Sequence, residues 1–497
     1  MKSCLLSICF FISISVCFAQ ALFYNNGAQM FMNPGSVMIV KTASVDNNTG
    51  RIDNAGNFII EGDFINSDVA TGNTNSTGIY DVFGNWVNNA NFNADESTVL
   101  LGGTNQLITG SQKTTFYNLY LSGNGVKTQT IDAKVDGTLD LSNAELATDI
   151  YEMLVSNANT NAILRNAGFV SSLQTGGLSR NTNSTNTYLY PTGSSVGTIR
   201  YRPVEIIPTT NADNTYGVRL ANVDATSETF DRNIKENELC EINPLFYHHV
   251  HRTNGADAAT ISFFYNNATD GDWTTIAHWQ NLPQWEDIGP ATASVASGFD
   301  VLTVSSWNSF SNIPYALAKP APTVFAERDT QILLGDGAPL NAVVNQNVNT
   351  YTWSPSIDLS CNDCPNPTAS PEITTLYTVT VNQGSGCSAI DSVLVEVIAN
   401  LNLYLPNAFS PNKDGNNDIL KLYGDMDRIF TLNLIIFNRW GEKVFEAADT
   451  TSAIQGWDGT YMGKLLDPGV FAYQLAVTYK RGIKNPIKEK GSITLIR

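Results

Sequence analysis

Apolar residues in this chain recur at every second position, and the helical spacing of three or four is hardly seen. Phe58, Ile60 and Phe64 stand at even intervals, as do Phe471, Tyr473, Leu475, Val477 and Tyr479 near the other end. Such alternation places one set of side chains on a single face of a strand. Runs of the same character cover 198–207, 216–223, 259–265, 300–304, 375–381 and 391–397. Past the first 19 residues no stretch carries a helical stripe. The pattern predicts an all-β chain.

Two segments repeat each other without a gap. Gly56 to Asn66 aligns with Gly78 to Asn88, every position 22 residues on: glycine falls on glycine, Phe58 on Tyr80, Phe64 on Trp86, Asn66 on Asn88. Residues 137–141 echo the motif weakly. About 20 residues is the length of one coil of a β-solenoid. In such a coil alternate side chains fill a narrow core and Gly or Asn turns the corners. We expect a β-solenoid-like region over 20–160; an antiparallel meander is the alternative.

Beyond it, 161–320 reads as a β-sandwich, with turn signals such as Asp270-Gly271-Asp272. Trp273, Trp279 and Trp285 cluster there. Exposed, they would form an aromatic platform for sugars, although tryptophans of a small sandwich ordinarily fill its core. Pro320-Ala321-Pro322-Thr323 is a stiff linker. The stretch 321–399 is expected to be one small module, and 400–497 a further sandwich-like domain. There Asn438-Arg439-Trp440-Gly441 forms a hairpin turn, with Gly441 at positive φ. The final strand, 492–496, is expected to be an exposed terminal element.

Composition adjusts this picture in few places. A chain of 497 residues exceeds one core and calls for roughly three or four domains. With 42% hydrophobic residues it is not a disordered chain. A net charge of −18 opposes nucleic-acid binding. Residues 1–19 have the build of a secretory leader: Lys2, a short apolar run over 5–16, then Cys17-Phe18-Ala19 before Gln20. Lipidation at Cys17 would want a small residue where Val16 stands. No later apolar run is long enough for a transmembrane helix.

Cleavage would leave Cys240, Cys361, Cys364 and Cys387 in an oxidising compartment, with three possible full pairings. A local Cys361–Cys364 bridge is the preferred reading. Zinc at Cys361 and Cys364 would lack a second close pair and a nearby histidine.

Candidate chemistry is thin. Asn412, Asp414, Asn416 and Asp418 alternate as oxygen ligands around Gly415, partly like a calcium loop. Ser410 and Lys421, however, occupy the places of its first and last acids. An Asx-rich turn bonding its own backbone is the alternative. His249 and His251 would share a strand face beside His248 and hold a metal; exposed histidines on a plain strand are the simpler expectation, and His278 is distant. Nucleophile-elbow, zinc-protease and phosphate-loop motifs are missing. A polysaccharide lyase would need clustered basic and acidic residues, and the repeat region offers few Lys or Arg. A glycosidase needs two placed carboxylates, which a tally of acids cannot identify.

Two resemblances add to this. Tyr351-Thr352-Trp353-Ser354-Pro355 resembles the tryptophan strand of polycystic-kidney-disease-type and related Ig-like domains. Leu405-Pro406-Asn407-Ala408-Phe409-Ser410-Pro411, Asp414-Gly415 with Asp418, Asn438-Arg439-Trp440-Gly441, Trp457-Asp458-Gly459 and Gly491 near the end follow one another. This series resembles the gliding-motility-associated C-terminal domain of Bacteroidota, the type B sorting domain of the type IX secretion system. Lys413 departs from it, standing where that family usually has glycine. The resemblance implies export across both membranes to the cell surface or beyond, with the secretion machinery as partner and no catalytic residues in this domain. The expected protein is a non-enzymatic, adhesin-like or matrix-binding surface protein with an extracellular polysaccharide or surface ligand. A carbohydrate-active enzyme or carbohydrate-binding protein seated in 20–320 is the alternative; a gliding-motility component, resting on the family name alone, is third.

Overall fold

The computed structural model describes residues 21–67, 74–280, 283–311, 313–384, 387–398, 402–479 and 487–497. The leader read at 1–19 lies outside the described residues. The chain divides into two compact units, Met1–Pro320 and Ala321–Arg497.

The spacing of 22 is one turn of a parallel β-solenoid. Strands Asn57–Ile60 and Ile79–Val82 pair in parallel, Phe58 beside Tyr80 and Ile60 beside Val82. Phe64–Asn66 pairs likewise with Trp86–Asn88, Phe64 beside Trp86 and Asn66 beside Asn88. Successive turns build three parallel sheets, one of eight strands, one of seven and one beginning with four. Alternation sends Phe58, Ile60, Phe64, Tyr80, Val82 and Trp86 inward, all fully buried. Phe64 stacks on Trp86 with ring centroids 4.5 Å apart, and the Trp86 indole N–H donates to Thr114 Oγ1 at 3.1 Å. The corners demand glycine where coils touch: a Cβ on Gly84 would sit 2.3 Å from the Gly62 carbonyl carbon.

One corner carries a buried amide ladder. Asn25 donates to Asn47 at 2.9 Å, Asn47 to Asn66 at 3.1 Å and Asn66 to Asn88 at 3.1 Å. Each of these amides thereby donates to the next one's carbonyl oxygen in a place closed to water, where an unmade hydrogen bond costs about 1–3 kcal/mol. Among the described residues the first coil, with strands Ala21–Asn25, Gln29–Met32 and Val37–Val40, is paired on one side. Its inward residues Phe23, Met30 and Met38 are only partly buried.

The coil does not stop where the sandwich starts. Strand Glu152–Val155 pairs in parallel with Gly177–Thr182, which pairs antiparallel with Asn214–Ala221. Tyr247–Asn254, Pro314–Pro320, Thr275–Trp279 and Trp285–Asp287 continue the same sheet. A second sheet, containing Val204–Pro208, Ala259–Tyr265 and Phe299–Trp307, covers it. One apolar core runs from Met32 to Leu317. Segment 224–242 folds back over the outer face, closing a smaller core around Tyr247, Trp279 and Trp285.

In the second unit an Ig-like module places Thr330–Leu333, Cys387–Ile398, Thr375–Gly384 and Thr350–Ser354 in one sheet. Trp353 is buried at its centre with Tyr377, Val379 and Val395. Its indole N–H donates to the Cys364 carbonyl at 3.0 Å, and Cys364 is bonded to Cys361. The last domain is a five-stranded sheet in the order Ala408–Phe409, Ile487–Leu495, Gly469–Tyr479, Ile429–Phe437, Lys443–Ala447. The final strand pairs with Gly469–Tyr479 along its length but with Ala408–Phe409 only at Thr494 and Leu495; Ile493 and Leu495 are buried, while Lys488 to Ser492 are exposed. Its alternate side chains supply apolar surface that the domain needs for its core.

Candidate functional site

The motif residues of the C-terminal domain fall into two physical classes. One class braces the core. Phe409 and Trp457 are buried with ring centroids 5.3 Å apart. Trp457 exchanges both backbone hydrogen bonds with Leu420, at 2.8 and 2.9 Å, and its indole donates to the Thr460 carbonyl at 2.9 Å. Asp458 accepts from the Thr460 N–H at 2.9 Å, forming an Asx turn. Gly459 follows at φ 77°, where a Cβ would meet Leu495 Cδ1 at 2.7 Å. The Asn407 carbonyl, between half-buried Pro406 and Ala408, accepts from Thr494 at 2.8 Å. Gly491 lies under the Tyr473 ring, leaving no room for a side chain.

The other class faces solvent. Asn438, Arg439, Trp440 and Gly441 close the hairpin between Ile429–Phe437 and Lys443–Ala447, with Gly441 at φ 80°. Asn438 Oδ1 accepts from the Trp440 and Glu442 N–H groups, each at 3.0 Å. The turn is thus held by the Asn438 side chain while Trp440 remains 83% exposed. Arg439 and Trp440 border a shallow cleft whose other wall includes Leu466, Pro468 and Val470. These three were missed in the sequence; only Val470 carried a signal, as an apolar residue on the wrong side of its strand's alternation.

The loop after half-buried Pro411 is exposed and self-bonded. Asp418 accepts from the N–H groups of Lys413 at 2.5 Å and Gly415 at 2.9 Å. Asp414 accepts from Asn416 N–H at 2.7 Å and from the Asn412 amide at 2.9 Å. Those bonds, the Asn416 one foremost, hold the Asp414 carboxyl below its ordinary range. Lys413 takes φ 71°, a left-handed conformation that explains a glycine preference there. Among the described residues no three His, Cys, Asp or Glu side chains gather as a metal would require.

The histidines are not the exposed set expected. Strand Tyr247–Asn254 has both faces covered. His248 points into the main core, its Nε2 3.0 Å from the Arg202 carbonyl oxygen, and burial pushes its pKa down to about 4. His249 and His251 share the opposite face, half-buried. Burial pushes His249 to about 3 and His251 below the usual imidazole value. His278 is also buried, 4.3 Å from the Tyr315 ring, and pushed to about 4. Trp273, Trp279 and Trp285 are core residues, 4%, 8% and 0% exposed, so they form no platform for sugars.

The specific geometry therefore lies at the end of the chain, in a braced sheet presenting a fixed aromatic turn. Residues 403–495 match the family model of the CHU_C type IX secretion signal domain. The signal domain marks the chain for export by the type IX system, to the cell surface or the extracellular space. No helix of the described residues is long and apolar enough to cross a membrane. No curated protein matches the chain. Solved structures similar to it include DIP-gamma IG1+IG2, at 13% identity and a TM-score of 0.15, covering 35% of this chain and 97% of that one. Drosophila N-cadherin EC1-3 follows at 11% and 0.17, covering 47% and 92%. A tetra-tandem repeat from the extending region of a large adhesion protein stands at 12% and 0.19, covering 63% and 93%. Scores this low do not amount to a common overall architecture.

Proposed function

We propose that the chain is a non-enzymatic, adhesin-like surface protein whose first unit is the binding body and whose signal domain delivers it. One observation carries this reading. Parallel coils place their outward side chains in register, so hydroxyl and amide groups meet in pairs between neighbouring coils. Asn118 donates to Thr98 at 3.2 Å, Thr130 to Thr109 at 2.6 Å, Ser67 to Asp46 at 2.6 Å and Thr49 to Asn26 at 2.9 Å. Adjacent rungs lie about 4.8 Å apart. Such polar, mostly uncharged pairs, beside exposed apolar side chains such as Phe31 and Phe83, suit a partner such as an extracellular polysaccharide or matrix.

The export half of the reading is tested by deleting 403–497 in the native host. The truncated chain should accumulate in the periplasm; its appearance on intact cells would refute a sorting role. For the binding half, purified full chain is incubated with a panel of polysaccharides. Retention without chain cleavage is expected. Product formation abolished by one carboxylate substitution would replace the adhesin with a carbohydrate-active enzyme.

A further inference from the structure

A strand of the signal domain outruns its partner. Phe437 pairs with Ala472, so Arg439, had it continued that strand, would stand beside Val470. The chain turns away instead, the Gly441 N–H closing on the Asn438 carbonyl at 3.0 Å. On its other side Gly469–Tyr479 stays paired to its first residue, Gly469 with Leu495 and Phe471 with Ile493.

The ladder fixes which way the Val470 backbone points. Thr494 donates its N–H to the Asn407 carbonyl at 2.8 Å, so its backbone groups face Ala408–Phe409. Successive residues of a strand turn their N–H and C=O to opposite sides, so Ile493 and Leu495 face Gly469–Tyr479. Phe471 and Gly469 answer them. The N–H and C=O of Val470 are therefore turned the other way, towards the cleft it lines with Arg439 and Trp440. Neither group has a hydrogen-bond partner among the described residues.

This open rung lies between exposed apolar side chains. Val470 is 60% exposed, and Trp440 is held beside it by the turn. Leu466 and Pro468 share the lining, while Arg439 and Asp467 add one charge of each sign, so charge does not select the partner. Single exposed apolar side chains are ordinary on a protein surface. The rung is what narrows the chemistry: it offers one donor and one acceptor at strand spacing, which another extended backbone meets with the same two groups. The family match says whose backbone that is, since 403–495 is a secretion signal, the part of the chain that the export machinery must bind.

We infer that the cleft receives an extended segment of the type IX secretion machinery, which pairs with Val470 as a short added strand and seats an apolar side chain against Trp440. The inference rests on the sorting reading and names the surface through which the domain is read.

The test uses the full chain in the native host and measures the fraction that added protease reaches on intact cells. Val470→Pro removes the N–H that faces the cleft and no bond of the ladder, at a strand edge where proline is tolerated. It should lower the surface-exposed fraction severalfold, one lost hydrogen bond weakening binding by up to about tenfold, with the thermal midpoint of the purified protein unchanged. Val470→Glu keeps every backbone group and charges the apolar wall. It serves if the proline variant unfolds, and should lower the fraction likewise. Phe430→Glu alters a side chain 72% exposed on the same sheet but outside the cleft, and should leave export as it is. Normal export of either folded Val470 variant overturns the inference, and so does an equal loss with Phe430→Glu. Purified chain that dimerises through Val470 while export stays normal overturns it too, by giving the cleft to a second copy. Deleting 403–497 tells the failures apart. If the deleted chain stays in the periplasm while the Val470 variants reach the surface, the cleft assignment falls and the sorting reading stands; if the deleted chain reaches the surface, both fall.

Discussion

At the scale of single residues, two positions bear energy that the sequence only half discloses. Lys413 holds φ 71° in an exposed loop. A left-handed conformation costs an L-residue about 1–2 kcal/mol, and glycine returns about 0.5–1 kcal/mol of that as extra chain entropy. Lys413→Gly should stabilise the signal domain by up to about 1 kcal/mol, seen as a raised urea midpoint at unchanged slope. The histidines give a pH dependence. Their folded values, about 4 for His248 and His278 and about 3 for His249, lie below the ordinary value near 6.5. Below pH 6.5 the unfolded chain therefore takes up protons that the folded chain refuses. Stability present above pH 6.5 should fall progressively towards pH 4. Urea unfolding across that interval checks it, and His278→Gln should flatten part of the slope. The residue types were legible and their surroundings were not. Alternation put His248 and His249 on opposite faces, but nothing local announced that 224–242 would fold over the second face.

Among the elements, the hairpin turn at Asn438–Gly441 separates holding from display. Asn438 and Gly441 fix the backbone, so the Trp440 side chain contributes little to the fold at 83% exposure. Trp440→Ala should leave the thermal midpoint of the protein almost unchanged, within about 0.5 kcal/mol, while lowering the surface-exposed fraction in cell fractionation. Unimpaired export would make the turn a mere loop. Trp457→Ala is the contrast, since it empties a core position worth about 3–5 kcal/mol and should lose fold and export together. The elements also mark where sequence reading ran out. The coil at Gly56–Asn66 was visible because the next coil has the same length and the same aromatic positions. Later coils pair Thr98 with Asn118, Ala133 with Met153 and Leu139 with Ile163. Their lengths drift and their inward residues change, so the backbone register persists after sequence similarity has gone. The final strand was found, but the burial of its Ile493 and Leu495 beside exposed Lys488 to Ser492 was not, because strand type says nothing of its neighbours.

For the molecule as a whole, the destination was readable and the activity was not. The signal domain carries many residues whose backbone or packing is fixed, as at Gly459 and Gly491; the solenoid needs only alternation and glycine at its corners. The sequence boundary drawn near residue 160 has no counterpart in the packing, where Leu178 and Leu317 share one core with Met32. The first coil gives that continuous body a direction. Among the described residues its strands are paired on one side, Phe23, Met30 and Met38 are incompletely covered, and its Asn25 is where the amide ladder begins. Heat or denaturant should then not melt the body at random. Opening starts at residues 21–40 and travels coil by coil towards the sandwich, as in other stacked arrays. Amide hydrogens should exchange fastest in the first coil and slowest around 178–220, and uniform exchange along the stack would contradict it. In that sense the body wears away from one end, like a rope fraying, and the junction of solenoid and sandwich lies among its last parts to open.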